Sequence, residues 1–196
     1  LALIERIELL LSIYSKGERP SGSSDPYALR RAGNGFLQIL WSKEWRINLN
    51  IFLKRATPFW AALFPDLKVD SDLLKSDLAD FLRQRIISLL EESGVDIDLV
   101  QAVAGETVAI ERLLSDPEDV RERANLLVEM RETGELQAVQ AVVTRASRLA
   151  EKGNLSADAL SPSEVIDPGL FEKTSEFCMF DLLRLLEPIT KEESGN

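Results

Sequence analysis

The sequence predicts an all-α protein, and three observations support this fold class. No stretch of useful length alternates apolar and polar residues with the period of two that a half-buried strand requires. Apolar residues instead recur at helical spacing, most clearly from Asp70 to Ser93, where Gly94 follows at a position typical of a helix end. Asp-Pro pairs also precede several segments, as expected where aspartate caps a helix and proline occupies its first turn.

The elements follow from this periodicity in chain order. Helices are expected at residues 1–14, 26–41, about 48–63 with a kink at Pro58, 70–93, 98–103, 108–114, 117–133, 136–151 and 175–186. Gly33-Asn34-Gly35 would favour a hairpin between strands, but its flanks have helical period, so the helix is expected to continue through it. Residues 154–165 are expected to form a loop that is long for a connector inside a compact domain.

Composition places the chain in a reducing compartment. The chain of 196 residues begins at Leu1 within a helical pattern and has only two methionines, so we expect it to be a piece of a longer protein. It has neither a long uncharged apolar segment nor a signal-peptide pattern, which predicts a soluble, cytoplasmic protein without membrane contact. The single cysteine, Cys178, lies between aromatic residues and methionine, and we expect it to be buried and reduced.

Charge and residue types exclude several functions. The net charge of −10 argues against a nucleic-acid partner, although residues 1–65 carry nine basic and five acidic side chains. Histidine is absent, which removes the commonest general base and a common metal ligand. The loop around Ser21-Gly22-Ser23 lacks the strand and the lysine of a phosphate-binding loop. The sequence therefore predicts no catalytic residue, no metal site and no cofactor of its own.

One segment does suggest a binding surface. Asp25 and Pro26 are expected to cap the helix at 26–41, whose apolar side contains Leu29, Ala32, Phe36, Leu37, Ile39 and Leu40. Its other side carries Tyr27, Arg30, Arg31, Asn34 and Gln38, with no carboxylate among them. Such a face suits phosphates and unpaired bases. A merely solvated polar face opposite a core face remains the alternative.

The same residues carry a family resemblance. Gly22-Ser23-Ser24-Asp25-Pro26-Tyr27-Ala28-Leu29-Arg30-Arg31 resembles the start of the C-terminal anticodon-binding region in the β subunit of the bacterial α2β2 glycine–tRNA ligase. The segments at 80–85 and 94–103 resemble the family's next landmark, with Arg85 and Asp98 on its charged positions. Arg145 also matches, whereas Arg148 replaces an asparagine of the family pattern.

The resemblance implies a domain organisation and a fold. Residues 1–15 would be the last helix of a preceding HD-like domain. Residues 16–196 would form a helical tRNA-binding domain, a multi-helix bundle similar to the anticodon-binding domain of arginine–tRNA ligase. Arg30, Arg31, Arg85 and Arg145 would contact phosphates or base edges, Tyr27 would stack on a base, and Asn34 would lie among them. For Arg85 and Arg145, burial against acidic residues that hold helices together remains open.

The resemblance also implies function and partners. The chain would grip the anticodon stem-loop of glycine tRNA while the holoenzyme uses ATP, with Mg, to join glycine to that tRNA. Its partners would be the tRNA, the α subunit and a second β subunit, and DNA is not expected among them. The alternative is a helical protein-interaction module without RNA binding, which the acidic total favours.

Overall fold

The computed structural model describes residues 1–153 and 166–194, and within those ranges it confirms the all-α fold class without any β-strand. The helices are α1 (Ala2–Ser15), α2 (Leu29–Ser42), α3 (Leu49–Leu63), α4 (Ser71–Glu92), α5 (Ile97–Ala104), α6 (Ile110–Ser115), α7 (Pro117–Thr133), α8 (Glu135–Lys152) and α9 (Thr174–Ser194). Short 3₁₀ turns lie at Pro65–Leu67 and Pro168–Leu170. The loop predicted at 154–165 lies outside the described residues. The likeness to the arginine–tRNA ligase domain stays a prediction.

The first of two compact units comprises Leu1–Val139 and is arranged around α4. This helix packs against α1, α2, α3, α5, α6 and α7, so its side chains enter the hydrophobic core from several directions. Helix α1 packs on both α2 and α4 within the unit. The assignment of residues 1–15 to a preceding domain stays a prediction.

Helix α4 owes its central position to its apolar stripe. The side chain of Asp70 caps it by accepting hydrogen bonds from the backbone N–H groups of Asp72 and Leu73, both at 3.0 Å. The predicted stripe is buried except at its first residue, because Leu73 is 58% exposed. Its buried members are Leu74, Leu78, Phe81, Leu82, Ile86, Leu89 and Leu90.

The start of α2 differs from the prediction. The helix begins at Leu29, not at Pro26, and the residue before it, Ala28, has a left-handed backbone with φ of 55°. A turn in which the Ala28 N–H donates to the carbonyl of Asp25 reverses the chain. The Asp25 carboxylate still caps the helix, since it accepts from the N–H groups of Leu29 at 2.7 Å and Arg30 at 2.9 Å. The cap therefore acts from four residues before the first helical residue.

The other predicted helix starts follow the expected pattern more closely. At α7 the Asp116 carboxylate accepts from the N–H groups of Glu118 and Asp119, and Pro117 is the first helical residue, as predicted. The side chain of Asn48 caps α3 by accepting from the N–H of Ile51 at 2.9 Å. Helix α3 continues through Pro58 without being split.

The second unit, Gln140–Asn196, contains most of α8 and all of α9. The Phe171 ring makes edge-to-face contacts with the rings of Phe177 at 5.1 Å and Phe180 at 5.7 Å. The prediction that Cys178 is buried is wrong, because this free thiol is exposed on α9. Its aromatic neighbours in sequence point to other sides of the helix, since adjacent residues are about 100° apart around a helix axis. Helix α9 also extends beyond its predicted end at Leu186, to Ser194.

Candidate nucleic-acid interface

Helix α2 carries three of the six predicted RNA-binding residues, Arg30, Arg31 and Asn34, and Tyr27 lies just before it. Arg31 and Tyr27 are exposed, and Arg30 and Asn34 are partly buried. Tyr27 lies in the turn before α2 and not on the helix, as a consequence of the later helix start; its side chain is 44% exposed. The Oδ1 atom of Asn34 is shielded from solvent and accepts no hydrogen bond from any described residue.

Helix α2 forms a cleft with α4 on one side. This cleft of about 370 Å³ is lined by Tyr14, Arg19, Pro20, Arg30, Asp77, Asp80, Phe81, Gln84 and Arg85. Within it, Arg19 forms an ion pair with Asp77, and its guanidinium lies 4.1 Å from the centre of the Tyr14 ring. Arg30 and Arg85 form no ion pair with any residue that the structure describes. The cleft therefore contains two guanidinium groups that no carboxylate neutralises directly.

A second cleft lies where α2 packs against α1. It has a volume of about 510 Å³ and is lined by Glu5, Arg6, Leu9, Ala28, Arg31 and Ala32. Arg31 makes neither an ion pair nor a hydrogen bond with any described residue, whereas Arg6 donates to the carbonyl of Ala2 at 2.8 Å. The two adjacent arginines of α2 thus line different clefts, Arg30 the one against α4 and Arg31 the one against α1.

Arg85 packs against an aromatic ring and forms no ion pair with the described residues. Its guanidinium lies 5.7 Å from the centre of the Phe81 ring, and its Nε is buried and makes no hydrogen bond with the described residues. Burial, followed by the positive charge of Arg30, lowers the pKa of Arg85 from the usual value for arginine. The alternative that Arg85 is a buried partner of an acidic residue therefore finds no ion pair among the described residues, and the carboxylates of Glu92 and Asp25 act on Arg85 only at longer range.

A different structural role belongs to Arg83, two residues earlier on α4, which binds backbone carbonyls and no acidic residue of the described ranges. Arg83 is only 9% exposed, and its terminal nitrogens donate to the backbone carbonyls of Gly105 and Val108. It thereby satisfies carbonyl groups at the end of α5 and in the turn that follows. The sequence alone does not separate the two residues, because both are arginines on the same helix. The prediction therefore assigned a function to Arg85 and none to Arg83.

Close helix packing explains the two glycines of α2. A Cβ atom at Gly33 would lie 2.6 Å from the Phe81 ring and 3.0 Å from Cγ of Arg85. At Gly35 it would lie 2.5 Å from Nε of Arg6. The missing Cβ at Gly33 lets the Phe81 ring of α4 lie against α2, and at Gly35 it leaves room for the flexible end of the Arg6 side chain. Each glycine costs about 1 kcal/mol of helix propensity relative to alanine.

Arg6 and Gln84 are candidate contacts that sequence reasoning missed. Each lines one of the two clefts on either side of α2. The available signal was the Gly33-Asn34-Gly35 segment inside a helical pattern, because helical glycines often mark close approach of another element. The sequence does not say which residues approach.

Arg145, the last predicted contact, lies on α8 in the second unit, where its side chain is exposed. No ion pair or hydrogen bond links it to a described residue. It is therefore not a buried structural partner of an acidic residue within the described part of the chain. Its role as an RNA contact stays a prediction.

The arginines of α7, by contrast, are bound to carboxylates. Arg121 pairs with Glu118, and Arg123 pairs with Asp119 at 2.9 Å. Arg131 donates to Asp96 at 2.8 Å and also pairs with Asp98. Two of these arginines form ion pairs within α7, and the third links α7 to the start of α5. A phosphate would therefore find fewer unpaired arginines on α7 than on α2.

Comparison with known proteins identifies the family. The family model for the glycyl-tRNA synthetase beta subunit matches residues 1–105. The glycine–tRNA ligase beta subunits of Trichodesmium erythraeum and Acaryochloris marina are 42% and 41% identical over 97% and 96% of this chain. That of Limosilactobacillus fermentum is 32% identical over 90%. The chain spans about a quarter of the length of these relatives, 27%, 26% and 24%. The chain belongs to the glycyl-tRNA synthetase beta subunit family.

Proposed function

We propose that this chain is a tRNA-binding part of a glycine–tRNA ligase and that it grips the anticodon stem-loop of glycine tRNA. One observation carries the proposal: Arg30, Arg31 and Arg85 lie on or beside α2 and form no ion pair with any described residue. Arginine binds phosphate through paired N–H groups, and an ion pair within the protein would compete with that contact. Membership of the glycyl-tRNA synthetase beta subunit family supports glycine tRNA as this RNA.

Each predicted residue has a place in this proposal. Arg30, Arg31 and Arg85 contact phosphates or base edges. Asn34 lies on the same helix as Arg30 and Arg31, and its Oδ1 atom, which is shielded from solvent, accepts no hydrogen bond from a described residue. Tyr27 provides an exposed ring at the start of α2 on which a base can stack. Arg145 would add a further contact from the second unit.

The proposal assigns the chemistry to other parts of the ligase. ATP and Mg²⁺ would act in the holoenzyme, with the α subunit and a second β subunit as partners. Within the described ranges, no three His, Cys, Asp or Glu side chains are grouped so that they could hold a metal ion. None of the described helices is both long and apolar enough to cross a membrane. This chain would contribute recognition and no reacting group.

A salt titration tests the proposal. We compare binding of tRNA with binding of a DNA duplex of similar charge, for the wild-type chain and for Arg30→Ala/Arg31→Ala. Each lost phosphate contact on single-stranded RNA should flatten the plot of log affinity against log salt by roughly 0.7. The matched control is Arg123→Ala/Arg131→Ala, which removes two arginines of α7 that are already paired. Its slope should stay that of the wild type.

Loss of stacking is a separate readout. Tyr27→Ala should weaken tRNA binding by on the order of 1–3 kcal/mol and leave the salt slope nearly unchanged, because stacking releases no counterion. The proposal is wrong if the wild-type chain binds the DNA duplex as tightly as it binds tRNA. It is also wrong if the α2 double variant and the α7 double variant change tRNA binding equally.

A specific surface favours a second candidate function, a helical protein-interaction module. Along α3, a groove of about 710 Å³ is lined by Arg46, Ile47, Asn48, Ile51, Phe52, Arg55, Ala56 and Phe59. Ile51 and Phe59 are largely exposed, and exposed apolar patches often mark protein contacts. If Phe59→Ser abolishes a subunit contact while α2 variants leave tRNA binding unchanged, this second function is favoured.

A further inference from the structure

We propose that Arg30 and Arg85 together form a clamp for one phosphodiester group of an unpaired RNA strand. The clamp presupposes the tRNA-binding role proposed above and specifies how one part of that surface works. Arg31, which lines the cleft against α1, would contact a different phosphate.

The cleft between α2 and α4 supplies the right groups. Of its three arginines, Arg19 is bound to Asp77, which leaves Arg30 and Arg85 able to bind an anion. Arg30 uses one terminal nitrogen to donate to the carbonyl of Gly22 at 2.8 Å, which orients its side chain, while its other guanidinium nitrogens make no hydrogen bond with the described residues. Arg85 has a buried Nε–H that donates to no described residue.

Packing holds Arg85 close to α2. Its Cγ would be only 3.0 Å from a Cβ on Gly33, so the aliphatic part of Arg85 lies directly against the backbone of α2. Gly33 is three residues after Arg30, which puts both residues on neighbouring turns of one helix face. The Phe81 ring supports the guanidinium from α4. The missing Cβ of Gly33 therefore leaves room for the stem of Arg85 beside α2.

The electrostatics favour a bound anion. Arg30 contributes to the lowered pKa of Arg85, so the fold keeps two like charges near each other without a direct carboxylate partner. Arginine nevertheless stays protonated in proteins. An anion between the two guanidinium groups relieves their repulsion, and both groups can donate paired N–H bonds to phosphate oxygens.

The remaining charges of the cleft indicate a diester. Asp77 is neutralised by Arg19, while Asp80 is exposed and forms no ion pair with the described residues. Among the lining residues, two arginines and one carboxylate are without an ion pair to a described residue, and the negative charges of Glu92 and Asp25 also act on Arg85. The positive charge of the cleft is therefore small, and it suits the single negative charge of a backbone phosphate better than the dianion of free phosphate. The clamp thus fits a nucleic-acid strand better than inorganic phosphate.

A double-mutant cycle on salt slopes tests the clamp. The variants are Arg30→Met, Arg85→Met and the double variant, since methionine keeps an unbranched stem against Phe81 and Gly33. If both arginines hold one phosphate, each single variant and the double variant should all flatten the tRNA salt slope by roughly 0.7. Arg30→Met combined with Arg31→Met should flatten it by roughly 1.4, because two phosphates are then released.

The outcomes separate the clamp from the broader function. A double-variant change of about 1.4, or no effect of Arg85→Met, contradicts the clamp while an effect of Arg31→Met still supports tRNA binding. If none of the variants changes binding, the proposed function fails as well. Should Arg85→Met melt far below the wild type, Arg85→Lys replaces it, and it should keep most of the slope but lose affinity.

A direct readout uses the Nε–H signal of Arg85 in NMR spectra. Titration with dimethyl phosphate, a diester, should shift this signal in the wild type and not in Arg30→Met. Inorganic phosphate at the same concentration should shift it less. An equal or larger shift with inorganic phosphate would contradict the assignment to a diester.

Discussion

Helices α2 and α7 both carry arginines, but the two helices use them differently. On α7, Arg121 and Arg123 pair with carboxylates three and four residues earlier, at Glu118 and Asp119. Helix α2 contains no acidic residue, so Arg30 and Arg31 have no such neighbour. Side chains three or four residues apart meet on a helix surface. The presence of an acidic residue at that spacing therefore decides whether an arginine forms an ion pair within its own helix.

Contacts between helices increase the difference. Arg131 of α7 reaches Asp96 and Asp98 at the start of α5. Arg85 of α4, which packs beside α2, lies near the Phe81 ring and within reach of the positive charge of Arg30, and it forms no ion pair with the described residues. An acidic protein can therefore keep a local surface suited to phosphate, because its carboxylates neutralise the arginines of one region and leave those of another unpaired.

The largest expected effect comes from the core side of α2. Leu29→Ala removes a side chain that is 1% exposed and should lower the free energy of unfolding by about 2–5 kcal/mol. Gln38→Ala, on the exposed side of the same helix, should change it by less than about 0.5 kcal/mol. Chemical denaturation measures both. Equal effects of the two substitutions would contradict the assignment of a buried side and an exposed side to α2.

A smaller effect should separate the two arginines of α4. Arg83→Met leaves the carbonyls of Gly105 and Val108 without their donor and should lower the free energy of unfolding by about 1–3 kcal/mol. Arg85→Met removes no hydrogen bond seen among the described residues and should have little effect. Urea denaturation of both variants measures this difference. A larger loss of stability for Arg85→Met than for Arg83→Met would contradict the structural role of Arg83 and the binding role of Arg85.

Tyr14, which lines the cleft between α2 and α4, should make the stability of the protein depend on pH in the alkaline range. Burial raises the pKa of Tyr14 from 10.0 to about 12. The folded state thus keeps a proton that the unfolded state releases, and stability should fall as the pH rises from about 10 to 12. Tyr14→Phe should show a weaker decline over that range in denaturation experiments. Parallel curves for the two proteins would show that Tyr14 ionises normally.

The smallest effect is expected for the ion pairs of α7. Hydrogen bonding to Arg131 lowers the pKa of Asp98 below its usual value of 3.8. The folded state therefore stabilises the carboxylate, and that contribution is present above about pH 4 and lost as the pH falls through the lowered pKa. Asp98→Asn should make thermal melts slightly less dependent on pH in this acidic range. High salt should remove the difference, since the pair is exposed.

Much of the fold could be predicted from the sequence because the signals are local. The apolar stripe of α4 and the Asp116-Pro117 start of α7 depend on helical spacing and on hydrogen bonds between close neighbours. The same reasoning failed at α2, where a left-handed Ala28 delays the helix start. It also failed at Cys178, because an apolar neighbourhood in sequence does not ensure burial on a helix.

The candidate site was predictable only in part. The sequence by itself determined that α2 presents arginines without acidic neighbours, since this follows from residue types at helical spacing. Only the tertiary structure decided that Arg85 joins Arg30 in one cleft, that Arg83 is structural and that Arg31 lines another cleft. Those outcomes depend on how α4 packs against α2 at Gly33 and how α1 packs against it at Gly35. Packing between segments that are distant in the chain leaves no periodic signal in the sequence.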